Sequence, residues 1–133
     1  MSPEKEYNIS YYSGFDNVFK KTAKKYKHTF DKDFDTLLKV ITGKLPFVNE
    51  DLRKIPQTNI IPNLGDDIKL PIAKTRMFIK ECREHKGRVI FLFDKEKSNL
   101  FFIDVYVKNN NENHDDVMIK AAYLEYIQRF RGD

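Results

Sequence analysis

The sequence predicts a single α+β domain: an N-terminal strand, a two-helix hairpin, a twisted antiparallel sheet and a C-terminal helix. Apolar residues recur at three- and four-residue spacing over two early segments and over the last one, the mark of amphipathic helices. Between them, GRVIFLF and LFFIDVYV are dense in β-branched and aromatic residues and lie close enough to be joined by a charged turn. At 133 residues, 41% of them hydrophobic, the chain can supply one modest core, so the domain is read as residues 1–133.

The elements follow in order. YNISYY, closed by Ser13 and Gly14, reads as a first strand and turn. Phe15, Val18, Phe19, Ala23 and Tyr26 then form one stripe, with Lys20, Lys21, Lys24, Lys25 and Lys27 mostly off it: an amphipathic, basic helix. Phe34, Leu37, Leu38 and Ile41 repeat the pattern behind the capping candidates Asp31 and Asp33, and Gly43 offers a left-handed stop. Residues 45–67 hold Pro46, Pro56 and Pro62 and no sustained period, so they read as a connection with one helical turn near Glu50 to Lys54. Ile55, Ile60, Ile61 and Leu64 make that connection too apolar for a disordered linker. Ile68 to Cys82 reads as a strand region with Pro71 at an edge or bend. After the hairpin and the short Asn-rich loop NNNEN, Asp115 or Asp116 caps a last helix whose Ile119, Ala122, Tyr123, Tyr126, Ile127 and Phe130 share a face.

The hairpin raises the functional question, because so apolar a ribbon keeps Arg88, Asp104, Tyr106 and Lys108 inside its runs. Alternation puts Phe101, Ile103, Val105 and Val107 on a core face with Val89, Phe91 and Phe93, and Asp104, Tyr106 and Lys108 on the other. If the two core faces coincide, the turn holds an odd number of residues, such as Glu96 to Ser98 or Lys95 to Asn99. Arg88 then falls opposite Tyr106, or one pair away. If Met77 and Ile79 face the same core, Lys74, Arg76, Phe78 and Lys80 join the polar face, where Phe78 is an awkward apolar member. The expected product is a sheet with helices on one side and, on the other, a concave basic surface.

Bulk properties narrow the classes. Twenty-four basic against 20 acidic residues give +4 and a pI near 9.0, which suits a polyanionic partner or an ordinary solvated surface. Cys82 is the only cysteine, so an internal disulfide and a cysteine-built metal site are excluded, which fits a reducing cytoplasm. The opening residues lack the apolar stretch of a signal peptide, and no apolar run approaches the roughly 20 residues of a membrane helix. A soluble cytoplasmic protein without a membrane partner is expected.

The order of elements resembles the RelE-like toxins of bacterial type II toxin-antitoxin systems, including the RelE, HigB and ParE branches. The resemblance spans nearly the whole chain. Its marks are YNISYYSGFDNVFKKTAKKY, KTRMF with Arg76, GRVIFLF with Arg88, and FFIDVYVKNNNENHDD leading into IKAAYLEYI. It implies an mRNA endoribonuclease working on ribosome-bound message and neutralised by a cognate antitoxin. The implied chemistry needs neither metal nor other cofactor: a 2′-hydroxyl attacks the adjacent phosphorus. Arg76 and Arg88 carry over as phosphate ligands, since a guanidinium fork binds two phosphate oxygens and stays charged. Tyr106, Lys108 and His114 carry over as proton-transfer candidates. Lys69, Lys74, Lys20 and Lys24 are the expected RNA-contacting cations. The chain departs from the family pattern in following Lys108 with Asn109, Asn110 and Asn111 rather than further basic residues.

Plainer readings stand beside these. The Lys20 to Lys27 stretch also fits a solvated helix face, Asp104 fits an ion pair with Arg88 or another cation, and Tyr106 fits a packed aromatic or an RNA-stacking ring. His28 and His85 read as surface histidines without ligand spacing, and Cys82 as a small core hydrophobe. Two other function classes share the fold expectation: a ParE-like toxin that poisons DNA gyrase without cutting RNA, and a RelE-fold binding protein without catalysis.

Overall fold

The computed structural model describes residues 5–108 and 113–132. Its strands are β1 (Asn8–Tyr11), β2 (Thr58–Ile60), β3 (Ile72–Ile79), β4 (Glu84–Asp94) and β5 (Asn99–Val107); its helices are α1 (Phe15–Ala23), α2 (Phe30–Lys44) and α3 (Asp116–Tyr126). They form one α+β unit around a five-stranded sheet of order β1-β5-β4-β3-β2. The sheet is mixed rather than antiparallel throughout, because β1 runs parallel to β5, with Asn8 beside Asn99 and Tyr11 beside Phe102. A parallel neighbour requires a long return path, and the two helices and β2 to β4 supply it.

The expectation of helices on one face is also corrected. Both faces of the sheet are apolar and each carries a core. Phe15, Phe34, Leu37 and Ile41 of α1 and α2 pack with Val89, Phe91, Phe93, Phe102 and Val105. On the opposite face, Ile119, Ala122, Tyr123 and Tyr126 of α3 pack with Ile90, Leu92, Phe101 and Ile103, together with Ile61 and Leu64 of the connection. Alternating strand residues feed both cores, so β4 and β5 read as unbroken apolar runs. The stripe expected for the last helix is therefore the one α3 buries, and Asp115 caps it by accepting from the Met118 amide at 3.1 Å.

The hairpin departs from its expected parity twice, and the departures cancel. Asp94 pairs with Asn99, leaving a four-residue turn, an even count, in which Ser98 takes a left-handed φ of 51°. That register puts Phe91 beside Phe102 and moves Phe101 and Ile103 to the α3 side, away from Val105. A bulge at Ile103 then shifts the register, so that Ile90 faces Asp104 and Arg88 faces Tyr106. Near the turn both faces are buried and apolar, so a one-residue slip costs little; at the far end one face is polar and the alternation must be restored.

Three smaller expectations change. Gly43 lies inside α2, which runs on into a 3-10 turn at Leu45–Val48, with the left-handed position at Asn49. The connection contains a second 3-10 turn, Leu52–Lys54, and the short edge strand β2, whose Thr58 hydroxyl shares a 2.7 Å hydrogen bond with Thr75. The strand expected over Ile68 to Cys82 is confined to β3. Residues 109–112 of the Asn-rich loop lie outside the described residues.

A buried polar network ties the chain end to the hairpin turn. Asp94 is fully buried and accepts from the Tyr126 hydroxyl at 2.6 Å and from Arg131 Nε and Nη2 at 2.8 and 2.7 Å. It anchors the π-helical turn Ile127–Arg131 that ends α3. Among the described residues, no helix is long and apolar enough to cross a membrane.

Candidate functional site

Past the N-terminal end of α3, the sheet face that α3 covers becomes polar. Two cross-strand rows lie there: Lys74, Ile90 and Asp104, then Arg76, Arg88 and Tyr106. Arg76 and Arg88 are direct cross-strand partners. Like charges in that position repel, so the row lowers the stability of the free protein. Among the described residues, neither guanidinium makes an ion pair.

Arg88 is half-buried and aimed by the backbone, its Nη1 donating to the carbonyls of His85 at 2.8 Å and Gly87 at 3.1 Å. Burial, and behind it the charge of Arg76, disfavours the protonated guanidinium, while Tyr106 opposes the trend. Gly87 permits this geometry. It pairs with Met77, and a Cβ there would stand 2.9 Å from both the Met77 carbonyl oxygen and its Cβ.

Lys74 is the second focus. Its Nζ lies 3.0 Å from His114 Nδ1 and donates to Asn113 Oδ1 at 3.3 Å. On the far side of the ring, His114 Nε2 is 3.1 Å from Asp116 Oδ1. An Nε2–H given to Asp116 leaves Nδ1 as an acceptor for the amine, so the three side chains form a chain from carboxylate through imidazole to Lys74. Burial, then the positive charges of Lys108 and Arg88, pushes the Lys74 ammonium below the usual lysine range, with Asp116 pulling the other way. The start of α3 holds the chain in place: Asn113 Oδ1 accepts from the His114 amide at 2.9 Å, and the cap at Asp115 fixes the first turn.

Lys108 directly follows β5, its amide donating to the Lys86 carbonyl at 2.7 Å, and its charge reaches Lys74. Tyr106 packs its ring against the α3 core. So Lys74, Arg76, Arg88, Tyr106, Lys108 and His114 converge. The other expected cations do not. Lys20 is exposed on the opposite side of the sheet and paired with Asp16 at 2.9 Å, Lys24 is exposed where α1 ends, and Lys69 sits in the loop before β3 with its amide on the Tyr123 hydroxyl.

The first helix does reach the site, through different lysines. Lys21 and Lys25 line a groove of about 380 Å³ with Tyr106, Asn113 and Asp115, along the β5 edge that β1 leaves uncovered. Their i, i+4 spacing beside Val18 was visible in the sequence, but which flank of the stripe faces β5 was not. Asn113 and Asp116 were also missed; a His-x-Asp spacing next to a helix cap was the available signal. Asp104 makes no ion pair with Arg88 among the described residues. Burial raises its carboxyl above the usual range, with Asp115 adding to the shift and the Val105 amide opposing it.

Among the described residues, no group of three or more His, Cys, Asp or Glu side chains is placed to hold a metal ion. Compared with known proteins, the chain matches no family model and no curated sequence at significant similarity.

Proposed function

We propose that this chain is a RelE-like toxin of a type II toxin-antitoxin module, a cytoplasmic endoribonuclease that cuts messenger RNA on the ribosome. The observation that carries the reading is the direct cross-strand pairing of Arg76 with Arg88, beside the Lys74, His114, Asp116 chain. Two guanidinium groups forced together lose their mutual repulsion when a phosphodiester lies across them. RNA supplies that ligand and carries its own nucleophile.

In this mechanism Arg76 and Arg88 bind the non-bridging phosphoryl oxygens and stabilise the charge that builds there in the transition state. Lys74 is placed to take the proton of the 2′-hydroxyl as the bond from that oxygen to phosphorus forms. His114, held by Asp116, orients the amine. The bond from phosphorus to the 5′-oxygen breaks, and Lys108 or Tyr106 delivers a proton to the leaving oxygen. The products are a 2′,3′-cyclic phosphate and a 5′-hydroxyl end. The cognate antitoxin silences the protein by covering this face with an acidic segment.

Induced expression with mapping of RNA ends tests the reading. The parent protein should halt growth and generate new 5′-hydroxyl ends within coding regions, and Arg88→Ala should do neither while keeping its fold by circular dichroism. Growth arrest with DNA damage and intact messages would replace this reading by the gyrase-directed one.

A further inference from the structure

Phe78 lies two residues past Arg76, beyond the register shift that follows Met77 and on the stretch of β3 that β2 leaves uncovered, where the sheet edge opens toward α2, and 42% of its surface stays in water. It is not isolated. Its ring meets the His85 imidazole edge-on, with centroids 5.0 Å apart, and both line a groove of about 310 Å³ with Met77, Leu37 and Val40. Arg76 lines the same groove and also adds its charge to the surroundings of Arg88. His85 in turn supplies the carbonyl that holds Arg88 Nη1 at 2.8 Å. The aromatic ledge and the arginine pair are thus parts of one short stretch of hairpin.

We propose that this groove takes an unpaired nucleobase, stacked on Phe78 beside His85, from a single-stranded RNA whose backbone crosses Arg76 and Arg88. The inference rests on the ribonuclease reading above and adds a base subsite to it. An exposed ring next to a cationic track is the arrangement that holds single strands, because every base offers a π-face while the cations hold the phosphates. The charge around the groove favours a polyanion. Arg76 and Lys80 line it, and the one carboxylate there among the described residues, Asp33, already accepts from the Lys80 amide at 3.1 Å and the Thr29 hydroxyl at 3.0 Å.

The test is equilibrium binding of short oligoribonucleotides carrying 2-aminopurine, whose fluorescence is quenched on stacking. The parent protein should bind with quenching at one position of the oligonucleotide. Phe78→Ala should weaken binding by about 5- to 150-fold, the range for stacking one base on one ring. It should also abolish the quench and leave the salt dependence unchanged, while Phe78→Trp keeps both affinity and quench. Arg88→Ala should instead flatten the salt dependence. Parent-like binding and quenching by Phe78→Ala, alongside weakened binding by Arg88→Ala, would overturn the base subsite and leave the phosphate cradle standing. Failure of the parent protein to bind RNA at low salt would overturn both.

Discussion

Replacing Arg131 by alanine should be among the most damaging single changes, although Arg131 is far from the basic face and close to the chain end. It removes two charge-assisted hydrogen bonds, at 2.8 and 2.7 Å, from a carboxylate with no solvent exposure. Breaking a buried ion pair on one side costs about 3–5 kcal/mol, because the remaining charge is left uncompensated. Here Arg131 is 27% exposed, and Asp94 keeps the Tyr126 hydroxyl at 2.6 Å and the Lys97 amide at 3.3 Å, so the loss should be about 2–4 kcal/mol. With an unfolding entropy of about 2.1 cal/mol/K per residue, a chain this size should lose roughly 7–14 °C in Tm. Thermal melts at pH 7 measure it, and Asp94→Asn in the same background should recover part of the loss by removing the orphaned charge. Burial alone would raise the Asp94 pKa, but the hydrogen bonds from Arg131 and Tyr126 outweigh it and hold the carboxyl below its usual value. The stability Asp94 contributes is therefore fully present above the unfolded pKa of about 4 and is lost as pH falls below it, so Arg131→Ala should flatten the acid limb of the stability profile. A Tm for Arg131→Ala within about 2 °C of the parent would refute the reasoning, since a shift that small corresponds to well under 1 kcal/mol.

Two further outcomes follow from the hairpin and the site. Gly87→Ala should destabilise by about 1–3 kcal/mol, read by urea unfolding, because its Cβ would press on Met77 backbone and side chain at 2.9 Å. Asp116→Ala should lower the cleavage rate by about 10- to 100-fold with RNA affinity unchanged, since it frees the His114 ring that orients Lys74 and removes only part of what proton transfer contributes. An equal loss of affinity would assign Asp116 a role in binding instead.

What could be read along the chain was local periodicity. The stripe from Phe15 to Tyr26, the buried face from Ile119 to Phe130 and the phase of Met77 and Ile79 all follow from repeat distances a few residues long. The pairing of Arg88 with Tyr106 was anticipated by parity, although the turn is one residue off the expected count and the bulge at Ile103 restores it. Such compensation is invisible in sequence, because Phe101, Phe102 and Ile103 are equally apolar and suit either face.

The amino-acid sequence by itself determined the three helices, the strands β1, β3, β4 and β5, and which side chains share a face within the helices, since those depend on backbone geometry within one element, whereas β2 and the face taken by Phe101 and Ile103 did not follow from it. Only the tertiary structure decided that β1 joins β5 in parallel, that α3 covers the second face, and that His114 and Asp116 reach Lys74, some forty residues away. It likewise chose Lys21 and Lys25 over Lys20 and Lys24 as the helix lysines nearest Tyr106. Each of these is a choice between packings that satisfy the same local pattern, and it is resolved by which distant apolar surfaces bury each other most completely.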